Sequence, residues 1–466
     1  MKRIARIIRP AAMVGALFLL LGMPPATEAD RQPHDHHLVL PYIASPPSVY
    51  VVADEATLRA AFAAANAAVH LPRIELAADI TLSAPLPPLD SKGEGVASLI
   101  GNGHTLDGAG HGSVIVIGPG TTATIDGLTI RGGMAECGGG IQSLGNLTVR
   151  HSHILDNRAT NGGGICVGQA DTPAGLTLED TVLGGNMAIY GGGGIYANIE
   201  NGSWLQIHIS RSLLTSNIAD MGGAIYSRTV HGEINTTISS TAITYNEARN
   251  GGGIYNHGFE DLEGYLILEG NATLHIINST LSGNTAINGG AISANTETSP
   301  FSSPLIPQPP LPPYGGSFVH LAYSTISDNT ATDEGGGLWY NGSYSFQATI
   351  IAENSGGDCV DFPSNIGQFY GYSIGHNLDS DDSCNLDHPS DVPRGVADLR
   401  PLAVNPPGKT PTHALGPASQ ARDRIPFSEV TGCGSSELNL DQRNVARPQP
   451  AGGSCDIGSF EARVGE

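Results

Sequence analysis

The sequence predicts an all-β protein, a parallel β-helix in which short strands wind into stacked coils under one N-terminal capping helix. Three observations lead there. One unit, an apolar strand followed by Asn-x-Ala, a short gap, glycines and an aliphatic residue, returns along the middle of the chain. Its strands alternate apolar and polar residues at period two. One segment alone carries a helical stripe.

The unit is clearest at Thr181 to Ile195, TVLGGNMAIYGGGGI. Its Asn recurs at Asn157, Asn186, Asn217, Asn246, Asn284 and Asn329, each with Ala two residues on, from Ala159 to Ala331. The closing aliphatic residue falls at Ile165, Ile195, Ile225, Ile254, Ile292 and Leu338; a degenerate first copy ends at Ile141. Intervals between closures are 24, 30, 30, 29, 38 and 46 residues, so a fixed frame receives insertions at permitted places. Segments such as Leu147-Thr-Val-Arg-His and Leu205-Gln-Ile-His-Ile have one buried face, and coils of such strands stack into parallel sheets. Glycine at the corners admits positive φ and lets neighbouring backbones reach the ~4.8 Å strand spacing.

In such a stack each Asn lies above the previous one. Its amide then donates to the next coil and satisfies a corner carbonyl, at roughly 1 kcal/mol net per bond. The aliphatic column adds roughly 1.5–3 kcal/mol of burial per side chain before entropy is subtracted.

In chain order, residues 1–29 read as an export signal: Lys2, Arg3, Arg6 and Arg9, then an apolar run from Ala11 to Met23, then the small-residue site Thr27-Glu-Ala29. No apolar run is long enough to span a membrane. Residues 30–48 form a polar leader in which His34, His36 and His37 cluster without a rigid frame. Glu55 to Val69 is the helix, capped by Asp54 and suited to lid the open end of the stack. Coils then fill residues 49–355, interrupted at His257 to Gly270 and at the Pro-rich stretch Thr296 to Gly316, whose missing N–H groups bar it from a sheet.

Without residues 1–29 the chain carries 18 basic and 43 acidic residues, a net of −25. That surface repels nucleic acid, which is not an expected partner. Export makes paired cysteines the expectation: Cys359 with Cys384, and Cys433 with Cys455. Cys137 and Cys166 read equally well as a third pair or as two buried thiols.

From Thr349 the composition changes. TIIAENSGGDC, SIGHNLDSDDSC, ADLRPLAVNPPGKTPTHALGPASQARD and LDQRNVARPQPAGGSCDIGSFE together resemble the terminal module of bacterial surface proteins termed choice-of-anchor Q. The upstream copies resemble the repeats of polymorphic outer-membrane-type proteins, and both are similar to the pectate-lyase-like superfamily. The resemblance, over most of residues 95–461, implies a right-handed parallel β-helix, secreted or held at the cell surface, with residues 356–466 as the C-terminal module. Such modules are commonly followed by an anchoring segment; six residues follow Phe460 here, which leaves the anchoring mode open. Asp441, Arg443, Arg447 and Asp456 are expected to pair as ions over the last coil, a plug for its end.

Catalytic signals are sparse. Asp107 and Asp126 sit in corner contexts, and Arg131, Arg150 and Arg158 follow on successive coils without an evident acid column. Asp358, Asp361, Asp379, Asp381 and Asp382 form the densest acidic group, a candidate for Ca²⁺ through oxygen ligands beside the plainer reading of a solvated loop. No cofactor is otherwise implied. The expected function is a noncatalytic surface or adhesion scaffold that binds polysaccharide, extracellular matrix or cell-surface protein. The alternative is a carbohydrate-active enzyme, which rests on the superfamily resemblance alone.

Overall fold

A computed structural model describes residues 49–465, apart from 91–92, 94, 169–173, 201, 262–267, 299–315, 362–370, 428–432 and 434–438. The chain divides into two units, residues 1–46 and 47–466. The export signal, the polar leader through residue 48 and most of the Pro-rich insertion lie outside the described residues.

The described residues form a parallel β-helix. One coil shows the plan: Ile195–Ile199 on a first face, Ser203–Ser210 on a second, Leu213–Thr215 on a third. Ile218 then bridges to Met187 and Glu247 on a short fourth side. Each strand pairs in parallel with its counterpart one coil on, Ile195 with Ile225, Leu205 with Ile234, and Leu214 with Ile243 through the adjoining strand. The third face is a 12-stranded sheet from Ile80–Thr81 to Val392–Pro393. The first and second faces join as one 21-stranded sheet through an antiparallel pairing of Phe259 with Gly270, at the shorter insertion. Ile141, Ile165, Ile195, Ile225, Ile254, Ile292 and Leu338 stack in register and are buried.

Three bends per coil carry a residue in the left-handed region, the third being the glycine corner before the first face. Between the second and third faces stand His151, Asp180, Arg211, Ser240, Asn278, Tyr323, Ala348 and His376; just before the buried Asn stand Asp156, Gly185, Ser216, Tyr245, Gly283 and Asp328. The two corner glycines differ in what they supply. Gly192 has φ +64°, whereas a Cβ on Gly193 would lie 2.5 Å from the Gly223 carbonyl oxygen.

The helix, Glu55–Ala67, ends two residues before the sequence reading. Asp54 caps it, accepting from the Thr57 amide at 2.8 Å. Leu58, Ala61, Phe62 and Ala65 join the same core cluster as Ile74 and Leu76 of the first coil. None of the described helices is long and apolar enough to cross a membrane.

Two expectations about the C-terminal region are corrected. The coils do not stop near Asn354: Cys359–Asp361, Gly371–Gly375 and Leu378–Asp379 make a further turn, paired with the coil before it. Nor do the tail residues around Asp441, Arg443, Arg447 and Asp456 plug the end. That part of the chain folds back along the third face, where Asn278 donates to the Leu440 carbonyl (2.9 Å) and Thr280 to Gln442 (2.7 Å). Ser459 reaches both Thr280 and Thr325, and His413 reaches Ser282. The cause lies in those strands. Thr280–Ser282 and Thr325–Ser327 carry small hydroxyl residues on their outer side and are buried throughout, so the face offers hydrogen bonds and little bulk.

Candidate functional site

The six asparagines form a continuous buried ladder. Asn157 Nδ2 donates to Asn186 Oδ1 (3.1 Å), and the link repeats through Asn217, Asn246, Asn284 and Asn329 at 2.9–3.0 Å. Each Nδ2 also donates to a carbonyl of the preceding coil, as Asn186 does to Ile154 (2.8 Å). From Asn186 on, each Oδ1 also accepts the backbone N–H of the previous Asn, and Asn157 Oδ1 accepts that of Gly133, so both amide hydrogens and the oxygen of every member are engaged within the protein.

A second ladder escaped the sequence reading. Ser152, Thr181, Ser212, Thr241, Ser279 and Ser324 are buried at the bend between the second and third faces. Five of the hydroxyls accept a backbone N–H one coil back, as Ser212 Oγ does from Thr181 and Ser279 Oγ from Thr241, while Thr181 donates to the Val149 carbonyl of that coil. The signal was present, since each lies five residues before an Asn of the first ladder.

The asparagine ladder ends on the acidic group. Asn329 donates to Asn354, and Asn354 donates to Asp358 Oδ1 (2.9 Å). Of the five predicted acids, Asp358, Asp379 and Asp381 come together, with one oxygen from each within 4.8 Å of the others. Asp382 turns instead to Arg394 at 3.1 Å, and Asp361 lies outside the group on the last strand of the first face. All six oxygens of the trio already accept N–H or O–H groups. Asp358 takes Asn354 and Ser380; Asp379 takes the amides of Asp381, Asp382 and Cys384; Asp381 takes those of Ser383 and Asp358. As a calcium cage the set fits poorly, because two carboxylates are buried and every oxygen is engaged. Its geometry is that of a turn anchor. Burial pushes Asp358 up and Asp379 up to about 7; at Asp381 the same pressure is outweighed by Ser383 and the Asp358 amide, which hold it below the usual carboxylate range.

The ion pairs of the tail are partly those expected. Arg443 bonds Asp441 at 2.9 Å and lies 3.4 Å over the Phe460 ring. Arg447 pairs with Glu461 (3.3 Å), and it is the backbone carbonyl of Asp456 that it meets. Burial raises Glu461 to about 7 despite Arg447. All three cysteine pairs are bonded, Cys137–Cys166 included. Arg131 and Arg150 do have acid partners, Asp107 (2.9 Å) and Asp126 (3.3 Å) one coil back, which corrects the expectation of an unmatched column.

On the outer side of the second face lies a recess of about 460 Å³ where the chain turns from the first face. Gly202, Gly232, Trp204, His231, Glu233 and Asn271 line it. Trp204, Glu233 and Asn271 occupy one register position on three successive coils. Trp204 is 49% exposed. Beyond it Gln206 and Asn235, then His208 and Thr237, continue the polar rows outward. Sequence reading had no signal for Trp204, which occurs in one coil only. Comparison with family models, with curated proteins and with solved structures returned no match to this chain.

Proposed function

We propose that the protein is a noncatalytic extracellular scaffold that binds a neutral carbohydrate chain along its second face. The single observation behind this is the exposed Trp204 side chain beside Gln206 on its own strand and Glu233 and Asn271 on the next two coils. A sugar ring has one apolar face and a rim of hydroxyls; an indole covers the first, and amides and a carboxylate bond the second. Strands about 4.8 Å apart repeat those groups along the stack, which suits an extended ligand. A net charge of −22 disfavours polyanionic chains. Export is supported by three disulfides and the basic-then-apolar N-terminal sequence, and the tail's likeness to choice-of-anchor Q modules agrees with display at a surface. The noncatalytic reading draws on the acidic trio, whose oxygens are bound to backbone and hydroxyl donors.

The test is titration of the full chain with neutral polysaccharides, followed by heat release and by assays for reducing ends and unsaturated products. Binding that weakens about tenfold or more in Trp204→Ala, with the melting curve unchanged, is the expected result. Undiminished binding by that variant refutes the assigned face, and turnover of any chain refutes the noncatalytic scaffold.

A further inference from the structure

The fourth side of the stack carries an exposed column of outward residues one position after each ladder Asn. Its middle four members are Arg158, Met187, Ile218 and Glu247, each paired with the next coil's member, with exposed Met134 before them and Thr285 and Thr330 after. Met187 and Ile218 are 38% and 40% exposed, and beside them Ile189 and Tyr190 are exposed by 64% and 57%. Arg158 and Glu247 are exposed too, and among the described residues neither has an ion-pair partner. The four apolar side chains form one exposed group on two successive coils, the kind of patch that marks a contact surface where scattered single residues do not.

The order of that column is self-complementary. A two-fold axis lying in a contact plane, parallel to the strands and midway between the coils of Met187 and Ile218, reverses the coil direction. It sets Met187 against Ile218 of a second copy and Arg158 against that copy's Glu247, at both ends of the patch. Three coil steps, about 14 Å, separate the charges on each copy, so both pairs close together. Ile189 and Tyr190 fall opposite the stretch Ala219 to Met221, where the Asp220 carboxylate is turned to its own Arg249 at 3.5 Å. We infer that this patch is an isologous interface and that its occupant is a second copy of this chain in antiparallel coil direction. The apolar pair supplies the attraction, while the exposed charges fix register and direction, because in an isologous contact each appears twice. This surface lies apart from the second face, so its test is independent of carbohydrate binding.

Sedimentation velocity of the purified full chain over a range of concentrations, at about 0.15 M salt so that the net charge is screened, reads the association. A monomer–dimer equilibrium is expected. Arg158→Glu and Glu247→Arg each bring like charges together twice and weaken dimerisation about tenfold or more. The double variant exchanges the signs and restores it to within about threefold, and Ile218→Asn abolishes it. All these side chains point outward, so the coils are left intact. A monomer at every concentration overturns the inference, as does a dimer indifferent to the single reversals or one the double reversal fails to restore.

Discussion

Replacing Asn217 by Ala isolates one step of the amide ladder in the middle of the stack. Asn217 is fully buried; its Nδ2 donates to the Leu183 carbonyl (3.1 Å) and Asn246 Oδ1 (3.0 Å), and its Oδ1 accepts the Asn186 amide (3.1 Å) and Nδ2 (3.0 Å). The substitution strands three groups: the Leu183 carbonyl, the Asn186 backbone N–H and one Nδ2 hydrogen of Asn186. Asn246 Oδ1 keeps the backbone N–H of residue 217. At about 1–3 kcal/mol for each unmet buried group, and with the vacated space large enough for a water to recover some of them, the loss is about 2–5 kcal/mol. Asn217→Asp has the same shape but costs more, because its carboxylate confronts two acceptors. Urea titration followed by circular dichroism gives the total. Amide exchange localises it, with Asn186 and its neighbours opening first, which matters because coil arrays need not unfold in one step. A loss below about 0.5 kcal/mol with unchanged exchange at Asn186 would refute the claim that the ladder holds the coils in phase.

Glu461→Ala leaves Arg447 buried without its counter-ion and strips the Gln449 and Asp456 amides of their acceptor, at a cost of about 3–5 kcal/mol. Thermal melting should fall and limited proteolysis should cut the tail first; a parental melting point would show that the pair does not hold the tail to the third face. Stability should also depend on pH through Asp379. Burial raises its folded value to about 7 from an unfolded one near 4, so between those values the native state binds the extra proton. The stability this gives is fully present below about pH 4 and is lost as pH rises through about 7, with Glu461 moving the same way. Melting at pH 5 should therefore exceed melting at pH 8, and Asp379→Asn should reduce the difference; an unaltered difference would exclude Asp379 as its source.

The coils, the asparagine and aliphatic columns, the cap and two of the three disulfides were legible because each rests on spacing within the chain. The hydroxyl ladder had the same regularity yet stayed hidden, since Ser and Thr alternate in it: Ser152, Thr181, Ser212, Thr241, Ser279 and Ser324 share a function and not a letter. The charged pairs Asp107–Arg131 and Asp126–Arg150 were missed although each joins strand register partners one coil apart, because acid and base exchange places: the acid stands on the earlier coil and the base on the later one, so neither forms a column of one residue type. Of the acidic group, sequence proximity drew five together, whereas the turn that organises Asp358, Asp379 and Asp381 sends Asp382 toward Arg394.

By itself the sequence determined a stack of parallel coils and the residues that line its interior. A coil's neighbour is the same position one repeat later, so short-range period and long-range contact carry the same information. Only the tertiary structure decided that residues after the last coil lie along the third face, that Glu461 is the partner of Arg447, and that Trp204 stands open to solvent. Those contacts join positions up to 179 residues apart with no repeat to link them, as Thr280 to Ser459 shows. Their outcome depends on which strand faces remain uncovered once the coils have stacked.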